Sequence, residues 1–149
     1  MSFLLDTNVV SEAIKSQPNP GVTAWMQTVD ENNVYLSVVT LTELRYGIER
    51  LAAGSRRKRL EEWLQREMPL RFDGRILPVD GAIADTAGRM VARSEAAGRP
   101  MEAMDALIAA TAEIHDLTLV TRNQSDFKVV LKTTPGHVGS ASRNVPVWM

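Results

Sequence analysis

Short blocks of apolar residues, broken by polar turns, run the length of this chain. Phe3-Leu4-Leu5 is an unbroken apolar run of strand length that leads straight into Asp6, Thr7 and Asn8. Across residues 7–15, Val9, Val10, Ala13 and Ile14 fall at helical spacing, and Gln17-Pro18-Asn19-Pro20-Gly21 breaks the pattern. A short helix is expected over 22–29, then a loop at 31–33. Residues 34–38 are rich in β-branched and aromatic side chains and predict a second strand. Helices are expected at 40–53, with Leu41, Leu44, Ile48 and Leu51 on one face, and at 57–72, where Pro69 argues for an irregular last turn. A third short strand is expected at 75–79. Asp80 is placed to cap a helix over 81–97, and Pro100 to start another over 101–115. Residues 117–121 predict a fourth strand, and 123–127 a polar turn. The stretch 133–142 reads as a loop, with a possible last edge strand at 145–148.

Strands alternating with helices predict a parallel sheet covered on both faces. The expected fold is α/β, a three-layer α/β/α sandwich with a short, mostly parallel central sheet. Neither a repeat nor a linker divides the chain, so residues 1–149 are expected to form one domain, with 133–149 as its least legible part.

Composition narrows the chemistry. With no cysteine and only two histidines among 149 residues, a thiolate site is excluded and a histidine-rich zinc site disfavoured. No apolar run is long enough to cross a bilayer, and no basic segment precedes an apolar one at the start. The expectation is a cytoplasmic protein without a membrane partner. A net charge of −1 is not that of a protein that coats nucleic acid, though it allows one that handles it locally. The single basic run, Arg56-Arg57-Lys58-Arg59, reads first as a solvated helix start and second as a contact for RNA or an acidic partner. Trp25 and Trp63, at helical spacing, read as core.

Four acids draw attention, and each has a plain alternative. Asp6 suits a helix N-cap. Glu43, in Thr40-Leu41-Thr42-Glu43, suits a capping box with Thr40. Asp126 suits a turn. Asp105 resists such a reading. It lies some five residues into its expected helix, on a face shared with Ile108, Ala109 and Ala112, where a carboxylate is costly unless paired, for example with Arg122, or metal-bound. In a parallel sheet all four places share one edge. Carboxylates about 4 Å apart repel by about 4 kcal/mol per pair at an effective dielectric of about 20. A hard divalent cation relieves this, and an all-oxygen ligand set favours Mg²⁺ or Mn²⁺.

At these residues the chain resembles the PIN-domain ribonucleases, in particular the VapC-type toxins of toxin–antitoxin pairs and their FitB-like branch. The pieces are Leu4-Leu5-Asp6-Thr7-Asn8-Val9-Val10-Ser11-Glu12, Thr40-Leu41-Thr42-Glu43-Leu44-Arg45-Tyr46-Gly47 and Gly74-Arg75-Ile76-Leu77-Pro78. Met104-Asp105 through Ala112, and Leu119-Val120-Thr121-Arg122-Asn123 with Asp126-Phe127, complete the set in order. The resemblance implies a catalytic, metal-ligating set of Asp6, Glu43, Asp105 and Asp126. It implies substrate-contacting positions at Thr7, Asn8, Thr121 and Asn123. It implies an Mg²⁺- or Mn²⁺-dependent endoribonuclease that leaves a 5′-phosphate and a 3′-hydroxyl. It further implies a homodimer, a cognate antitoxin that blocks the site with an Arg among the acids, and promoter DNA bound only through that antitoxin. The tail departs from the pattern, because a Gly- and Ser-containing stretch precedes Asn144-Val145-Pro146-Val147-Trp148.

Three other readings compete. A receiver-type signalling module also gathers acids at strand ends, but it needs a phosphoacceptor on the third strand, where this chain has Pro78. A PIN fold without catalysis would act only by forming a complex with antitoxin and DNA. A DNA-directed 5′-nuclease would need a large basic region that this chain lacks.

Overall fold

The computed structural model describes residues 1–122 and the backbone of residues 127–130. Asn123, Asp126 and the tail, with its expected strand at 145–148, lie outside the described residues. The strands are β1 (Phe3–Leu5), β2 (Val34–Ser37), β3 (Ile76–Leu77), β4 (Thr118–Arg122) and β5 (Phe127–Val130). The helices are α1 (Thr7–Val10), α2 (Pro20–Thr28), α3 (Val38–Glu49), α4 (Ser55–Glu62), α5 (Met68–Arg71), α6 (Gly81–Ala96) and α7 (Ala103–Ile114).

The sheet runs β3-β2-β1-β4-β5. The first four strands are parallel, and β5 pairs antiparallel to β4, with Arg122 opposite Phe127. The hydrophobic pattern did not announce β5. Four residues with a lysine in second place fall below the length at which alternation speaks.

Successive residues of β1 point to opposite faces and build two cores. Leu5 packs with Val9, Val10, Trp25, Leu44, Ile48 and Leu60. Leu4 packs with Val39, Ile108, Ala112 and Leu117. A third cluster, Ile83, Ala87, Ala106 and Ala110, joins α6 to α7. Trp25 is core, as expected, with its ring edge-on to Phe3 at 5.1 Å between centroids. Among the described residues, no helix is long and apolar enough to cross a membrane.

Three element boundaries moved for identifiable reasons. Helix α3 starts at Val38, because the Ser37 hydroxyl accepts the Val39 N–H at 3.1 Å and caps it before Thr40. The expected helix over 57–72 is present as α4 and α5 joined by a π-turn, Trp63–Glu67. Pro69 offers no N–H to the carbonyl four residues earlier, and a widened turn accommodates the gap. Pro100 does not open α7. The Met101 N–H is held by the Ser94 hydroxyl at 3.0 Å and Glu102 stays extended, so the helix begins at Ala103.

Within the basic run, Arg57 is engaged with Glu49 at 2.8 Å and Glu61 at 3.0 Å, tying α4 to α3, while Arg56, Lys58 and Arg59 are exposed. Asp80 caps α6 as expected, its Oδ1 accepting the Ile83 N–H at 2.9 Å. Asp80→Ala is expected to cost about 1 kcal/mol. Thermal melts followed by circular dichroism would read this, and an unchanged midpoint would mean that the cap contributes nothing.

Candidate active site

Strand order reverses at β1, with β2 on one side and β4 on the other. The crevice at the carboxyl ends of β1 and β4 is therefore where such a sheet takes its ligands. Asp6 stands there. Its N–H continues the ladder to the Val120 carbonyl at 2.8 Å. The side chain caps α1, Oδ1 accepting the Thr7 N–H at 2.8 Å. Capping does not exhaust it. The Thr121 hydroxyl donates to Asp6 Oδ2 at 2.7 Å, so β4 sets the plane of the carboxylate. With one hydrogen bond accepted at each oxygen, the carboxylate keeps acceptor capacity for a further partner.

Glu43 lies in the second turn of α3, and the capping box expected with Thr40 does not form, because Ser37 is the cap. The Thr7 hydroxyl donates to Glu43 Oε1 at 2.7 Å and lies 3.2 Å from the hydroxyl of buried Thr40. Thr7 thus joins Glu43 on α3 to the residue beside Asp6.

Asp105 differs from expectation in two respects. Because α7 begins at Ala103, it lies in the first helical turn, and it is exposed rather than set into an apolar face. Arg122 is not its partner. Partial desolvation pushes its carboxyl above the ordinary value, and the charges of Asp6 and Glu102 push it further. The first-turn backbone favours an anion there, yet like charge and desolvation outweigh it. A raised native pKa means the ionised group opposes folding at neutral pH, and that opposition fades as pH falls through the native pKa. Metal-free Asp105→Asn is therefore expected to melt about 1–2 °C above wild type at neutral pH, small because water screens the site. A lower midpoint would contradict the repulsion.

Asn8, expected to touch substrate, is exposed at this edge and bonds through its side chain to the end of β4. Its Oδ1 accepts the Arg122 N–H at 3.0 Å, and its Nδ2 donates to the Arg122 carbonyl at 2.8 Å and lies 3.3 Å from the Thr121 hydroxyl. Asn8 holds the end of β4 in place, so Thr121 can reach Asp6. Both Thr7 and Thr121 likewise bind the acids themselves.

Sequence reasoning gave no role to Glu12, which is almost fully buried. It accepts the Lys15 ammonium at 2.7 Å, the Asn19 N–H at 2.8 Å and the Arg122 guanidinium. Burial pushes its carboxyl up, but the Lys15 hydrogen bond, the Asn19 N–H and the charges of Lys15 and Arg122 outweigh this and hold it below the ordinary range. The one available signal was its spacing of three from buried Val9, which places it inward.

The donors fit a hard cation in type. Asp6 and Asp105 repel one another, Glu43 is one hydroxyl away from the same edge, and all are oxygen ligands. Among the described residues, no three acidic or imidazole groups converge closely enough to enclose a metal. What stands together is a pair of carboxylates with a third bridged to it. A cleft of about 690 Å³ lined by Ser2, Tyr35, His115 and Thr118 contains none of these acids.

Comparison with known proteins places the fold among characterised families. A family model described as "PIN domain" matches residues 3–131. The chain is 40% identical over 125 residues to Toxin FitB of Neisseria gonorrhoeae, covering 84% of this chain and 90% of that one. It is 35% identical over 126 residues to a VapC ribonuclease of Sinorhizobium fredii, covering 85% and 90%. Among solved structures it superposes with a TM-score of 0.76 on FitAB bound to a DNA fragment, at 37% identity over 83% of this chain and 86% of that one.

Proposed function

The chain belongs to the PIN-domain family, and on that premise we propose that it is the toxin of a toxin–antitoxin pair, an endoribonuclease that hydrolyses RNA at a divalent-metal site. The observation that carries this is the Asp6 carboxylate at the strand-order reversal, oriented by Thr121 and set against the charge of Asp105. Relatives named as a toxin and as a ribonuclease, each matched over most of its length, support the same reading.

The residues that would hold Mg²⁺, or Mn²⁺ in its place, are Asp6 and Asp105, with Glu43 and Asp126 completing the set. Such an ion supplies Lewis-acid activation of water and of the scissile phosphate. The chain's own contributions are separate from it. Thr121 and the Thr7 N–H fix Asp6, and the Thr7 hydroxyl fixes Glu43. Asn8 keeps β4 in register with α1. Asp105, whose carboxyl is held above its ordinary value by desolvation and by the charges of Asp6 and Glu102, would gain a counter-charge from such a cation. Asn123 is proposed to contact substrate beside Asp126. A single cytoplasmic domain, paired as a homodimer, would be held inactive by a cognate antitoxin. Promoter DNA would be reached only through that antitoxin, a reading supported by the DNA-bound FitAB structure.

Mapping RNA 5′ ends in a bacterium after inducing wild type or Asp105→Asn tests this without guessing the substrate. New 5′-monophosphate ends are expected with wild type alone. Identical profiles, with both proteins folded and abundant, would overturn the enzyme and leave a complex-forming PIN fold.

A further inference from the structure

We infer that Lys15 and Arg122, mounted on the buried carboxylate of Glu12, form a contact site for the RNA sugar–phosphate backbone beside the acidic centre. The inference rests on the ribonuclease reading and adds to it the means by which an acidic site attracts an anionic polymer.

Two cations share one buried anion, so the cluster carries a surplus positive charge. The Glu12 side chain is 2% exposed, whereas those of Lys15 and Arg122 are 47% and 30% exposed, so the anion is hidden and the cations face solvent. The cluster adjoins the crevice through covalent and hydrogen-bonded links. Arg122 directly follows Thr121, whose hydroxyl holds Asp6, and its backbone is bracketed by Asn8, two residues after Asp6. A strand of RNA entering at Asp6 and crossing Asn8 meets Arg122 and then Lys15.

Electrostatics favours such a site. The chain has a net charge of −1, and Asp6, Glu43 and Asp105 repel phosphate at the very place where it must bind. Local cations restore attraction without a basic protein overall. Arg122 presents a planar fork suited to phosphate oxygens, and Lys15 a mobile point charge. Glu12 limits the flexibility of both, so less freedom is lost when a phosphate arrives. A buried acid kept solely for stability is a poor choice, since an apolar side chain of similar volume does as well. Holding two exposed cations on one rim is a role that an apolar residue cannot fill.

The test is binding of a fluorescein-labelled oligouridylate by anisotropy at KCl from about 50 to 200 mM, with Asp105→Asn in every protein so that nothing is cut. Each single-strand phosphate contact contributes about 0.7 to the slope of log affinity against log salt. Adding Lys15→Ala is expected to flatten the slope by about 0.7, as is adding Arg122→Ala. Arg89→Ala removes the same charge from the exposed face of α6, where Arg89 pairs with Asp85, and should leave the slope unchanged. Equal slopes for the Lys15, Arg122 and Arg89 variants, with each protein folded by circular dichroism, would overturn the inference, as would a failure of the parent to bind RNA at the lowest salt. The 5′-end mapping of wild type is read separately. Cleavage with equal slopes rejects this site alone, and absence of cleavage rejects the ribonuclease reading.

Discussion

Asp6→Asn is expected to lower the rate of RNA cleavage by 100-fold or more, an effect on the order of that seen when a charge-stabilising or proton-handling group is removed from an active site. Expression should cease to be toxic. The fold should be unaffected, because asparagine keeps what the local structure uses. Its Oδ1 can still accept the Thr7 N–H that Asp6 caps, and Asn and Asp are near-equal N-caps. The Thr121 hydroxyl, which now donates to Oδ2, can rotate to accept from the new amide. What is lost is one negative charge at the reversal of the sheet, the charge a divalent ion would need most. Stability should stay within about 0.5 kcal/mol of wild type, so the melting midpoint barely moves while activity collapses. Cleavage rates on a mapped target, measured beside thermal melts, separate the two effects. Activity close to wild type would remove Asp6 from the chemistry and reduce it to the cap it also is.

Legibility in the sequence varied with the reach of each interaction. Strand β1 and Asp6 were plain, because an apolar run ending in small polar residues is a local pattern and the sheet edge that follows is a rule of topology. Glu43 invited the wrong local explanation. A Thr-x-x-Glu spacing fits a capping box whether or not the helix starts there, and only Ser37, three residues before the expected start, reveals that it does not. Asp105 was singled out for a burial it does not have, since Pro100 suggested a helix start two residues too early. Its relevance rests instead on the repulsion of Asp6 across the edge. Glu12 had no visible role because one partner, Arg122, is 110 residues away in sequence. The bonds of Asn8 to β4 were hidden for the same reason. Its partner is the backbone of β4, and backbone partners leave no trace in a sequence.

Glu12→Gln is expected to lower the melting midpoint by about 6 °C at neutral pH. Hydrogen bonds to a charged group contribute about 1.5–3 kcal/mol, and the solvent exposure of Lys15 argues for about 2 here. At this chain length each kcal/mol corresponds to about 3 °C. The dependence on pH follows from the depressed native pKa. Unfolded, the carboxyl titrates near its ordinary value of 4.5, and folded it titrates lower. Its contribution is therefore complete above the unfolded value and is lost as pH falls through the folded one. Wild type and Glu12→Gln should differ most at neutral pH and converge in acid. A difference that stays constant from about pH 7 to pH 3 would show that the amide fails by shape rather than by charge. The paired replacement of Glu12 and Arg122 by methionine carries the argument one step further. It removes both desolvated charges together and should recover most of the lost stability. If it does so while the affinity for RNA falls below that of wild type, the ion pair is held in the fold for the polymer it binds and not for the stability it contributes.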